Sequence, residues 1–137
     1  MTAESPRATV ERLLRAMNAH DIEAFVGCFD PDYVSEQPVH PDRAFGGVEQ
    51  VRRNWSSLFE ALPDLRAELK AVIEDDTSAW SEWHWTATQA DGGVFDWRGV
   101  IIMGVRNARI TWARLYMEPT EFTGAGIDAA VQEMRQG

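Results

Sequence analysis

Apolar residues recur at helical spacing through the first half of the chain and at every second position through most of the second half. Val10, Leu13, Leu14 and Met17 fall on one side of a helix opened by Ser5-Pro6. "NAHD", residues 18–21, breaks that pattern. Asp21 then caps a short second helix over residues 22–29, with Ile22, Phe25, Val26 and Phe29 apolar. "DPDYVSEQP" predicts a short strand ended by Pro38, followed by a loop, "VHPDRAFGG", rich in turn formers. A longer helix over residues 48–62 carries Val51, Trp55, Leu58, Phe59 and Leu62 on one stripe and stops before Pro63.

Beyond Pro63 the period becomes two. Residues 65–74 alternate, "DDT" is a turn, residues 78–89 form the next strand, and "ADGG" is a hairpin signal. Residues 94–105 and 109–117 complete a meander around the tight turn "RNA". "TGAGIDAAVQEMRQG" closes the chain as a short helix with Ile127, Val131 and Met134 on one face. Helices first and long antiparallel strands afterwards predict an α+β fold in one domain spanning residues 1–137. Three N-terminal helices would pack on a curved, mostly antiparallel sheet with a short C-terminal helix, a cone-shaped α+β barrel with room for a ligand.

The composition narrows the partners. A formal charge of −9 on 137 residues argues against nucleic acid and anionic membrane, both of which need clustered Lys and Arg. The only cysteine, Cys28, lies in the apolar context "FVGCF" and reads as a buried, inert thiol, so a disulfide framework is excluded. The stretch "MTAESPRATVERLL" lacks the layout of a signal peptide, and no apolar run approaches the ~20 residues of a membrane span. A cytoplasmic protein is expected.

Several motifs together resemble the nuclear transport factor 2-like superfamily, in particular its SnoaL-like, limonene-epoxide-hydrolase-like and ketosteroid-isomerase-like branch. They are "NAHD", "CFDPDYVSEQP", "FGGVEQVRRNW", "ALPDL", the tryptophan strand "AWSEWHWTA" and "ARITWARLYMEP", covering nearly the whole chain. The resemblance also tells which chemistry is absent. Gln37 stands where ketosteroid isomerases keep their base carboxylate, Leu13 where they keep a tyrosine, and Ile101 on or next to their protonated aspartate. Trp83, Trp85 and Leu115 take the places of the limonene-type Asp-Arg-Asp set. Glu118 is nearest to the acid/base aspartate of SnoaL-like cyclases.

Alternation and the resemblance give the same facing. Trp83 and Trp85, then Trp97, Gly99, Ile101 and Met103, then Ala113, Leu115 and Met117 point into the cone, with Tyr33, Ser35 and Gln37 from the first strand. Glu82, His84, Asp96, Arg98, Trp112, Arg114 and Tyr116 take the outer face. His84 is therefore expected to pair with Glu82, Asp96 or a subunit neighbour rather than to act beside the indoles. Trp112 and Tyr116 beside charges suggest a homodimer through that face.

His40, three residues beyond Gln37 and beside Asp42 and Arg43, reads first as an exposed loop histidine. An imidazole is also the side chain suited to acid/base work near neutrality, so His40 is the first candidate for it. Tyr33 and Gln37 would donate hydrogen bonds to a carbonyl or oxyanion, and Glu118 is the second acid/base candidate. The substrate wall would be Trp55, Leu58 and Leu62 from the third helix with Trp83, Trp85, Trp97, Ile101, Met103, Leu115 and Met117 from the sheet. His20 reads as a surface residue or cap. No cofactor is expected, and no metal either, since ligand spacing is missing from the inner face. Two functions fit. One is a cofactor-independent isomerase, cyclase, lyase or hydrolase acting on a hydrophobic, perhaps polycyclic, small molecule. The other is a non-catalytic protein binding a hydrophobic ligand or a partner.

Overall fold

Ser5 starts the first helix by accepting a hydrogen bond from Ala8 N at 3.1 Å, with Pro6 in the first turn where no amide donor is needed. In the computed structural model, which describes residues 4–137, this helix is α1 (Pro6–Ala19); residues 1–3 of the expected domain lie outside the described residues. His20 ends α1 in the left-handed conformation, and Asp21 caps α2 (Ile22–Val26) through Ala24 N. The expected second helix is shorter at its end. Gly27 and Cys28 form a turn, and Phe29 opens the first strand instead.

The strands are β1 (Phe29–Glu36), β2 (Phe45–Gly46), β3 (Arg66–Glu74), β4 (Ser78–Thr88), β5 (Val94–Arg106) and β6 (Arg109–Pro119). Helix α3 (Val48–Ala61) lies between β2 and β3, and α4 (Ile127–Gln136) follows β6. The sheet order is β2-β1-β6-β5-β4-β3, with β1 and β6 parallel and all other neighbours antiparallel. The loop after β1 holds two small features that hydrophobic spacing does not reveal: a 3-10 turn at Pro41–Arg43 and the two-residue strand β2. Both are too short to show a period.

The core forms where α1 and α2 meet the concave side of the sheet. Val10, Leu13 and Met17 pack with Phe25, Ile101 and Trp83, each 5% exposed or less. Each such side chain stabilises the fold by ~1.5–3 kcal/mol through lost contact with water. Gly99 lets β5 and β6 close tightly at mid-strand: a Cβ there would stand 2.0 Å from the Tyr116 carbonyl oxygen.

"NAHD" has a structural explanation. The Asn18 side chain imitates a strand, accepting from Ala67 N at 2.7 Å and donating to Ala67 O at 3.0 Å. His20 bonds the Leu65 carbonyl at 2.7 Å through Nε2 and stacks on Phe59 at 4.7 Å. These contacts pin the end of α1 to β3 and α3. Helix α4 does not join the core. Ile127, Val131 and Met134, expected on one face, are 73%, 43% and 72% exposed. Among the described residues no helix is long and apolar enough to cross a membrane.

Candidate active site

The concave sheet and the helices enclose a cavity of about 200 Å³. A larger hollow, about 840 Å³, opens outside it between the end of α3 and the β4–β5 hairpin. That hollow is unenclosed, and its carboxylate Asp64 is engaged by Thr88 N at 2.9 Å. The cone is therefore the candidate site.

One side of the cavity is apolar. Trp55 and Leu58 from α3 face Trp83 and Trp85 from β4, with Ile101, Met103 and Leu115 deeper along the sheet. Trp55 meets Trp85 edge to face at 5.5 Å, and Phe25 packs on Trp55 at 4.7 Å. Such geometry suits the aromatic quadrupoles. Of the expected wall, Leu62, Trp97 and Met117 do not line the cavity. Leu62 and Met117 are buried in packing, and Trp97 stacks on Phe95 at 5.8 Å nearer the hairpin. Alternation gives the face a residue takes but not how far along the strand the hollow extends.

The polar lining comes from β1 and the residue that follows it, joined by Asn54 from α3. Tyr33, Ser35 and Gln37 alternate onto the inner face, and all three line the cavity. Burial pushes the Tyr33 phenol up to about 12. The phenol is thus a proton-bearing donor at neutral pH. Gln37 Oε1 accepts from Arg43 Nη1 at 3.0 Å. A guanidinium can only donate, so the amide oxygen must face it and the Gln37 NH2 remains available to a ligand.

The two acid/base candidates from sequence, His40 and Glu118, are brought together. His40 Nε2 lies 2.5 Å from Glu118 Oε1, tying the loop after β1 to the end of β6. Neither side chain lines the cavity; the pair sits outside, with His40 one turn beyond Gln37, whose carbonyl accepts from His40 N at 2.7 Å. Asp42 makes no hydrogen bond to His40. On the outer face, His84 bonds Asp96 at 2.9 Å and lies 3.8 Å from Glu68, away from both cavity indoles. Hydrogen bonds from Thr120, then His84 and Arg98, hold the Asp96 carboxyl down to about 2. Cys28 is fully buried, and burial raises its thiol.

Two features escape sequence reading. Asn54 of α3 lines the cavity although it lies off the apolar stripe that predicted this helix. Trp85 Nε1 is buried without a hydrogen-bond partner among the described residues, whereas its neighbour Trp83 Nε1 donates to Ser81 Oγ at 2.8 Å. The hydroxyl that serves Trp83 stands two residues earlier on the same strand face, while Trp85 has only Trp83 and Ala87 at that spacing.

The model of the SnoaL-like domain matches residues 10–113. No curated protein sequence matches the chain. Among solved structures, IdmH of Streptomyces antibioticus, a candidate polyketide cyclase, is 18% identical over 84% of this chain and 93% of its own, with a TM-score of 0.73. RV0760c of Mycobacterium tuberculosis, in complex with estradiol-17beta-hemisuccinate, is 20% identical over 82% and 94%, with a TM-score of 0.71. A candidate SnoaL-like polyketide cyclase from Jannaschia is 19% identical over 86% and 92%, with a TM-score of 0.70. At these identities the likeness is one of fold.

Proposed function

The chain belongs to the SnoaL-like domain family, and from that premise we propose that it is a cofactor-independent acid/base enzyme of isomerase or cyclase type for a small hydrophobic carbonyl compound. The observation that carries this reading is a mostly apolar cavity with a polar edge of Tyr33, Ser35 and Gln37, and Asn54 added from α3, next to the His40–Glu118 pair. Tyr33 and the Gln37 NH2 would hold a carbonyl oxygen as negative charge develops on it. His40, oriented by Glu118, would take a proton from the carbon beside that carbonyl once a substrate reaches from the cavity to the loop. The same fold in a protein holding a steroid ester supports a ligand in the cone.

One observation favours a non-catalytic binder instead: among the described residues no Asp, Glu, Lys, Arg or His lines the cavity. Proton exchange separates the two readings. Incubating the protein with α-tetralone in D2O should give deuterium at the carbon beside the carbonyl faster than buffer does, and His40→Ala should abolish the excess. Binding without exchange would leave the binder.

A homodimer through the outer sheet face belongs to the same reading. Tyr116 is 38% exposed there, and Arg114 lies over the Trp112 ring at 4.7 Å. A single monomeric species by sedimentation at micromolar concentration would overturn that assembly.

A further inference from the structure

Taking the cone as the ligand site, as proposed above, the geometry points to its specificity: it accepts an uncharged, compact ligand of about one or two rings, held by an acceptor oxygen against Tyr33 and Ser35. Three observations converge on this. First, the cavity lining is electrically neutral among the described residues. Arg43, which reaches the cavity residue Gln37, is engaged by its Oε1, and the chain carries a formal charge of −9. A carboxylate drawn into such a space would lose its water with nothing to replace it, a heavy penalty.

Second, what the cavity offers is hydroxyl and amide hydrogen. Tyr33 and Ser35 are 4% and 3% exposed and stand two residues apart on one strand, so their hydroxyls form an edge rather than scattered points. Phenol O–H and the free Gln37 NH2 donate; the Ser35 hydroxyl adds a group that both donates and accepts. A ligand presenting a ketone, quinone or ether oxygen satisfies that edge, while a hydrocarbon leaves it unpaired and dry. Third, the volume is small. The cavity is about 200 Å³. That is below the ~300 Å³ at which drug-sized sites begin.

The test compares three probes of one shape: α-tetralone, tetralin and the tetralin carboxylate, measured by calorimetry against the wild-type protein. The ketone should bind about five-fold tighter than the hydrocarbon, the value of one net neutral hydrogen bond. The carboxylate should bind at least ten-fold weaker than the ketone. Tyr33→Phe and Ser35→Ala should each shrink the ketone-to-hydrocarbon ratio without weakening tetralin. Equal affinity for ketone and hydrocarbon, or a carboxylate as tight as the ketone, overturns this specificity and leaves the cone standing as a ligand site. Failure of all three probes to bind overturns both. The comparison within the wild-type protein holds even if a variant does not fold, and none of these readouts depends on turnover.

Discussion

Trp83 and Trp85 stand side by side on the inner face of β4, their rings 6.5 Å apart, yet only Trp83 has a partner for its indole N–H. Trp83 donates to Ser81 Oγ, which in turn donates to the Ile101 carbonyl at 2.7 Å, so this indole is stitched into the sheet. Trp85 packs against Trp55 with its N–H unanswered. One ring therefore belongs to the scaffold and the other is held by packing alone.

That difference is measurable. Trp83→Phe gives up the bond to Ser81 and should lower stability by ~1–2 kcal/mol in urea denaturation. Trp85→Phe removes an unpaired buried donor and should cost less than Trp83→Phe, or stabilise, because the lost packing is offset by a relieved desolvation penalty. Equal losses would contradict the assignment.

Gly99 and Gly104 separate backbone crowding from side-chain crowding. A Cβ at Gly99 meets the Tyr116 carbonyl at 2.0 Å, which cannot move without parting β5 from β6. Gly99→Ala should cost ~2–3 kcal/mol. A Cβ at Gly104 meets the Trp112 indole at 1.9 Å, a side chain on the half-exposed outer face that can turn aside. Gly104→Ala should cost less, and its expected sign is a rise in Trp112 exposure to an aqueous quencher.

Asp96 gives the pH dependence. Its carboxyl is held down to about 2, chiefly by Thr120. A depressed folded value means the contribution is present above the ordinary carboxylate range and fades as pH falls from about 4 through about 2. Asp96→Asn should lower stability by ~1–2 kcal/mol at pH 7 and flatten the loss between those two pH values. Thermal melts of both proteins from pH 7 to pH 2 read this directly, and parallel curves would refute it.

Asn18 clasps the Ala67 backbone with both ends of its amide. Asn18→Ala leaves an N–H and a carbonyl of a buried residue unpaired, at ~2 kcal/mol. Amide exchange at Ala67 should quicken more than exchange at Trp83 in the middle of the sheet. Unchanged protection at Ala67 would show that water replaces the clasp.

Much of the molecule could be read from the chain. The change from helical spacing to alternation at Pro63 gives three helices and then a meander, and the strand ends agree with the structure within a few residues. Parity alone places Trp83 and Trp85 opposite His84, and the structure pairs His84 with Asp96 on the outer face. Phe29 was ambiguous, because it satisfies helical spacing from Phe25 and also starts the strand leading to Tyr33. The stripe of Ile127, Val131 and Met134 has a helix period, but period does not say whether anything covers the stripe, and among the described residues it stays largely exposed.

What the sequence determined by itself was element type, order and facing, because these follow from local spacing of apolar side chains. Tertiary structure decided what depends on where distant segments meet. It joined His40 to Glu118, 78 positions apart, and turned the Gln37 amide by placing Arg43 at its oxygen. It packed Trp55 of α3 against Trp85 and left the Trp85 N–H without a partner among the described residues. It also fixed the size of the cavity, which depends on how far the side chains of opposing walls reach toward each other. Alternation sets direction along one strand; depth and partnership arise only when several strands and helices close around the same space.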